Sequence, residues 1–218
     1  MNSSKTQRIL FTNKEKNDTS LTYLGLKFHS SMSWKSHIDT LCGRLSTAIF
    51  MIRRMKQISS TEIAKLTYYS ASHSLATYGI ILWSQSSYAQ NVLLKQKKAV
   101  RAIYGLKYTD SCREVFKKEK ILTITSVFIL TCVKYVHSHQ QKFPRNSNYH
   151  TYNTREKDKF SVPQVRMKKE QQGPNHTCLK LYNKLPESIK SLSQNAFGKA
   201  VKRILLEKTI YCVDEFLC

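Results

Sequence analysis

The chain has 218 residues, with 36 Lys and Arg against 14 Asp and Glu, for a formal net charge of +22. A charge this high repels itself and attracts polyanions, which makes nucleic acid the default partner. The hydrophobic share of 41% and aromatic share of 11% exclude a disordered basic tail, and six Gly with four Pro exclude collagen-like or low-complexity chains.

The first residues, Met1 to Arg8, are polar and lead into no apolar core, so no secretory signal is expected. Arg8 to Phe11 and residues 21–28 read as two short strands, joined by a polar hairpin-like connection over 12–20. In the second strand Leu24, Leu26 and Phe28 fall on one face. Helices dominate from there on. Ser33 is placed to cap a long helix over 34–57, with Ile38, Leu41, Leu45, Ala48, Ile49 and Ile52 as its apolar stripe. Ser59 and Glu62 form a capping-box pattern that opens a second helix to about Ser72. Ile63, Leu66, Tyr68 and Tyr69 are its expected core, and Gly79 weakens any continuation to Trp83.

Ser87 and Gln90 suggest the start of a third helix over 88–104, ended by Gly105. Leu93, Val100 and Ile103, with Leu94 and Ala99 beside them, supply its apolar face; Lys95, Lys97, Lys98 and Arg101 supply a basic side. Asp110 is placed to cap a short helix ending at Lys118. A further helix is expected over 125–140, with Val127, Phe128, Leu130, Thr131, Val133 and Val136 spread over a wide face. Residues 141–175 have weak periodicity and read as loop-rich, tacked down by Phe160, Val162 and Val165. Short and long helices follow over 179–185 and 196–208, the latter with Phe197, Val201, Ile204 and Leu205 inward. The fold class expected is mainly α: a helical bundle with a short N-terminal β-hairpin and a loop-rich C-terminal region. Three segments are drawn, 1–33, 34–140 and 141–218.

The charge is spread along the chain. Residues 1–60 hold ten basic and three acidic side chains, 91–120 hold nine and three, and 140–190 hold eleven and four. Such a distribution suits a folded surface that follows a phosphate backbone, with affinity falling steeply as salt rises. Phosphate contacts are assigned to Lys95, Lys97, Lys98 and Arg101, with Arg155 and Lys168 secondary. Tyr68, Tyr69, Tyr104, Tyr108, Tyr149 and Tyr152 are candidates for stacking on bases.

Catalytic chemistry finds little support. The longest apolar runs, 80–83 and 127–130, are far short of the roughly 20 residues a membrane span needs, so no membrane partner is expected. The six Cys include no C-x-x-C pair, and without a secretory signal they are expected as reduced thiols inside the cell. Cys132, His137 and His139 come nearest to a metal site, but a structural zinc needs four converging ligands. The five Asp (Asp18, Asp39, Asp110, Asp158 and Asp214) include no adjacent pair, and there is no phosphate-binding glycine motif. No catalytic residue, metal ligand or cofactor is assigned.

Read in order, several motifs resemble one family. Asn2 to Thr6 with Phe11 is similar to the stretch that follows the catalytic aspartates in the palm of LINE-type (non-LTR, jockey-like) retrotransposon reverse transcriptases. Tyr23-Leu24-Gly25 followed by Ser33-Trp34-Lys35-Ser36-His37-Ile38 resembles the primer-gripping strand pair and the entrance to the thumb. Tyr78-Gly79-Ile80, Leu82-Trp83 and the run from Leu94 to Arg101 resemble the helical region beyond. Asp110 to Arg113, Tyr152 to Arg155 and Leu181 to Pro186 resemble the C-terminal part. The resemblance covers essentially the whole chain. It implies a fragment of an RNA-directed DNA polymerase: the end of the palm, a thumb-like bundle and the region downstream. Its partner would be RNA or an RNA–DNA hybrid, and Tyr23, Leu24 and Gly25 would be primer-grip-like. The family's paired aspartates, which hold magnesium in the parent polymerase, would lie before Met1, so this chain is expected to be inactive alone and to bind no cofactor. Lys5 would match a palm residue near the incoming nucleotide. Two alternatives stand beside this reading: a host-adapted helical module that binds nucleic acid or protein, and a pseudogene fragment without function.

Overall fold

The computed structural model describes residues 8–11, 19–149, 152, 154–171 and 173–218, leaving aside the side chains of 168 and 169. Over these residues the chain is mainly helical with one two-stranded antiparallel hairpin, as the sequence pattern predicts. The hairpin itself is drawn differently. Its strands are β1 (Ser20–Tyr23) and β2 (Leu26–His29), paired Ser20 to His29 and Tyr23 to Leu26. Residues 8–11 form no strand. What looks in sequence like one strand over 21–28 folds back on itself at Leu24-Gly25. Both turn residues have positive φ, 48° and 77°, the signature of a tight hairpin turn in which glycine is favoured. Leu24 therefore points to solvent, while Leu26 is buried and Phe28 packs on Trp34, with ring centroids 5.3 Å apart.

The helices follow in order. In the first half are α1 (Lys35–Ile58), α2 (Thr61–Thr67), a π-helical turn over Tyr68–His73, α3 (Ser74–Thr77), α4 (Ile80–Trp83) and α5 (Gln90–Tyr104). The second half holds α6 (Arg113–Lys118), α7 (Ile124–Ser138), α8 (Lys168–Gln171), α9 (Pro174–Asn183), α10 (Glu187–Lys190), α11 (Gln194–Lys208) and α12 (Asp214–Leu217). They gather into two compact units. One comprises residues 1–79 and 86–108; the other comprises 80–85 and 109–218. This division cuts across the segments 1–33, 34–140 and 141–218.

In the first unit α1 packs along α5, α2 and the π-helical turn. All six residues of the expected α1 stripe are buried. Each such aliphatic side chain contributes about 1.5–3 kcal/mol on burial, alanine less. The second helix departs from expectation. Ser60, not Ser59, caps it, accepting from the Ile63 N–H. Ile63, Leu66 and Tyr69 are exposed, and Ala64 and Tyr68 take the inner positions. A small residue at 64 suits close packing, and the wider π turn resets the period so that Tyr68 and Ser72 both face inward. Tyr68 is buried and accepts a hydrogen bond from Gln96 Nε2 at 2.9 Å. Burial, the main cause, holds its phenol well above the usual range. Trp34 takes the N-cap position of α1 without a side-chain cap, Ser33 instead accepting from the Lys35 N–H. Ala89 stands at the cap of α5, two residues later than Ser87 suggests. Gly105 ends α5 in the left-handed conformation, as expected.

In the second unit α7 lies against α9 and α11. Its wide apolar face is buried on several sides, from Ile124 to Val136. Cys112, rather than Asp110, stands at the N-cap position of α6. Pro174 starts α9 at its first turn, where the missing N–H is harmless, so that helix begins five residues before the expected Leu179. The loop-rich stretch is anchored at Phe160, whose N–H donates to Asn183 Oδ1 at 3.1 Å while its carbonyl accepts from Asn183 Nδ2 at 2.8 Å. Val162 and Val165 are only half-buried. Among the described residues no helix is long and apolar enough to cross a membrane.

Candidate nucleic-acid interface

The amphipathic period of α5 sorts its side chains onto two faces. Val92, Leu93, Gln96, Ala99, Val100 and Ile103 are buried. At about 100° per residue, Lys95, Lys97, Lys98 and Arg101 fall within an arc of about 160° on the opposite side. They line one open cleft of about 500 Å³ together with Asp39 and Cys42 of α1, and with Leu94 and Tyr108. All four cations that the sequence singles out thus meet at a single concave surface.

Several contacts shape this surface. Lys95 Nζ donates to Ser46 Oγ on α1 at 2.6 Å. The Arg101 guanidinium sits 5.7 Å from the centroid of the Tyr108 ring, within cation–π range. Tyr108 is 81% exposed, and Leu94 beside it is half-exposed. The cleft therefore offers four cations against one carboxylate, plus an accessible aromatic face. Burial raises the Cys42 thiol above its ordinary value; Lys95 opposes this and Asp39 reinforces it. A thiol held protonated is a poor nucleophile.

The other assigned residues are scattered. Arg155 is exposed in a turn of the second unit. Lys168 lies in α8, and its side chain falls outside the described residues, as do Lys5 and Asn2 to Thr6. Tyr23, Leu24 and Gly25 form the exposed hairpin turn. The Tyr78 hydroxyl donates to the Leu24 carbonyl at 2.6 Å and holds that turn. Of the tyrosines named for stacking, Tyr68 is removed by burial, whereas Tyr108, Tyr149 and Tyr152 are exposed. Asp39 and Cys42 were not legible as cleft residues, because the α1 pattern marks them only as off-stripe positions.

Among the described residues no group of three or more His, Cys, Asp and Glu is placed to hold a metal. Cys132 and Cys178 are buried free thiols, while His137 stacks on Phe197 at 3.9 Å and lies 3.1 Å from the Tyr182 hydroxyl. His139 Nδ1 is 2.9 Å from the Tyr135 carbonyl. No protein-family model matches the chain, and no curated protein or solved structure shows significant similarity to it.

Proposed function

We propose that this chain is the nucleic-acid-gripping part of a reverse transcriptase of the non-LTR retrotransposon kind, binding RNA or an RNA–DNA hybrid inside the cell. The observation that carries the reading is the cleft on α5. Lys95, Lys97, Lys98 and Arg101 converge there beside an exposed tyrosine. Cations spaced along a groove neutralise successive phosphates, and the tyrosine face accepts an unstacked base. The ordered motifs from Tyr23-Leu24-Gly25 to Leu181-Tyr182-Asn183 support the family part of the proposal. In that reading the exposed hairpin turn approaches the primer strand with its backbone, since Gly25 carries no Cβ. Polymerisation itself is not assigned to these residues.

The test is a gel shift with single-stranded RNA, RNA duplex and RNA–DNA hybrid across a salt series. Binding at low salt that weakens steeply as salt rises is the expected result. A chain that shifts none of these at low salt would sink the reading. DNA synthesis by the isolated chain in a primer-extension assay would overturn the assignment of grip without chemistry.

A further inference from the structure

The second unit carries a basic surface that the segment charges do not reveal. Lys199, Lys202 and Arg203 of α11 lie at i, i+3 and i+4, on the side away from buried Phe197, Val201 and Leu205. Lys117 of α6 and Lys120 after it line an open groove of about 350 Å³ with all three. Lys199 and Lys202 also line a broader groove of about 720 Å³, which Lys134 of α7 joins from the other side. The two grooves thus form one face with six exposed cations and a single carboxylate, Glu207.

Two backbone features gather these charges. A Cβ on Gly198 would lie 2.6 Å from Lys134 Cε, so the glycine in the middle of α11 leaves the space that the Lys134 stem fills. Glycine inside a helix is unfavourable relative to alanine, and here it brings a cation onto the face. Lys120 has φ of 53°, a left-handed position at the end of α6 where glycine is the usual residue. Like charges collected in this way repel one another, and a polyanion relieves the repulsion.

The chemistry of the face differs from that of the α5 cleft. Its aromatic groups are not open platforms: Phe197 is fully buried under His137, and Tyr135 is half-buried against His139 and Phe143. In the broader groove the cations stand beside polar Thr131, Ser138, Gln194 and Asn195, and in the narrower one beside the aliphatic Leu206. We infer that this face binds the phosphate backbone of a nucleic-acid duplex, without stacking on bases and without reading sequence. The inference rests on the nucleic-acid reading of the chain but not on the α5 cleft.

The experiment titrates the full chain with RNA duplex, RNA–DNA hybrid and single-stranded RNA at several salt concentrations. It compares wild type with Lys199→Gln/Lys202→Gln/Arg203→Gln and with Lys117→Gln/Lys134→Gln, circular dichroism confirming that each is folded. The triple variant is expected to lose duplex affinity about tenfold or more and to flatten the log–log salt slope by about 2–3, with single-stranded RNA much less affected. The double variant should show the same pattern at about two-thirds of the slope change. Duplex binding by both folded variants with the wild-type slope overturns the inference, as does an equal loss for single strands. The duplex and hybrid arms tell which duplex is preferred. Duplex loss in the triple variant alongside intact single-strand binding by a variant of the α5 cations would refute the cleft reading and leave this face standing.

Discussion

The two units each concentrate positive charge, but they do so by different means. In the first, the cations belong to one helix, and the 3.6-residue period alone sets them opposite the core. In the second, they come from α6, its following turn, α7 and α11, and only packing unites them. The first surface adds an exposed tyrosine to its charge; the second adds hydroxyls and amides. A helix that supplies a whole binding face is legible from its residue order. A face assembled from several elements is not, although the chemistry of charge against phosphate is the same in both.

Neutralising the first surface gives the largest expected effect. Lys95→Gln, Lys97→Gln, Lys98→Gln and Arg101→Gln together should weaken single-stranded RNA about 100-fold or more and flatten the salt slope by about 3–4, measured by fluorescence anisotropy. If this variant and the α11 variant lose the same substrates in the same proportion, the contrast between the surfaces is wrong.

The next effect is on stability. Gly79 has φ of 61°, and a Cβ there would lie 2.8 Å from Leu26 Cδ2. Gly79→Ala should therefore lower unfolding free energy by about 1–3 kcal/mol in a urea titration. Each unit holds one tryptophan, Trp34 in the first and Trp83 in the second, so the fluorescence change can be assigned with a Trp83→Phe background. A transition seen by Trp34 that does not move would show that the turn and Leu26 yield without cost.

Tyr108→Ala sharpens the comparison further. It removes the accessible ring and the Arg101 contact, and should weaken single-stranded RNA by about 1–2 kcal/mol while leaving duplex binding nearly unchanged. Equal losses for both would assign the tyrosine to packing.

Acid titration probes both units. Burial is the first cause that lowers His37 below its ordinary value, followed by Arg44 and Lys27; burial likewise lowers His137 and His176. Each binds its proton less readily in the fold than in the unfolded chain. Their contribution is complete above about pH 6.5 and is lost as pH falls through and below that value, because the unfolded state then binds more protons. Stability measured by urea midpoint should decline from pH 7 to about pH 5. Substituting His37 by Gln should reduce the decline of the transition that Trp34 reports, since the two rings are 5.8 Å apart.

The smallest effect is expected from Lys120→Gly. It should stabilise the fold by about 1 kcal/mol by relieving the left-handed lysine, yet weaken duplex binding about twofold to tenfold. A loss of stability would mean that the lysine side chain contributes more through its contacts than its backbone conformation costs.

The residue order by itself determined the mainly helical class, the stripe of α1 from Ile38 to Ile52, the stop of α5 at Gly105 and the basic face of α5. These follow from local period and local backbone preference, which neighbouring residues set. Tertiary structure decided the rest. The hairpin turned at Leu24-Gly25 because Tyr78 and Gly79, distant in sequence, hold the turn and receive Leu26. The inner face of α2 passed from Ile63 and Leu66 to Ala64 and Tyr68 because a π turn shifted the period and Gln96 offered Tyr68 a partner. The second basic face exists only because helices far apart in the chain pack together, and no window on the sequence sees across that distance.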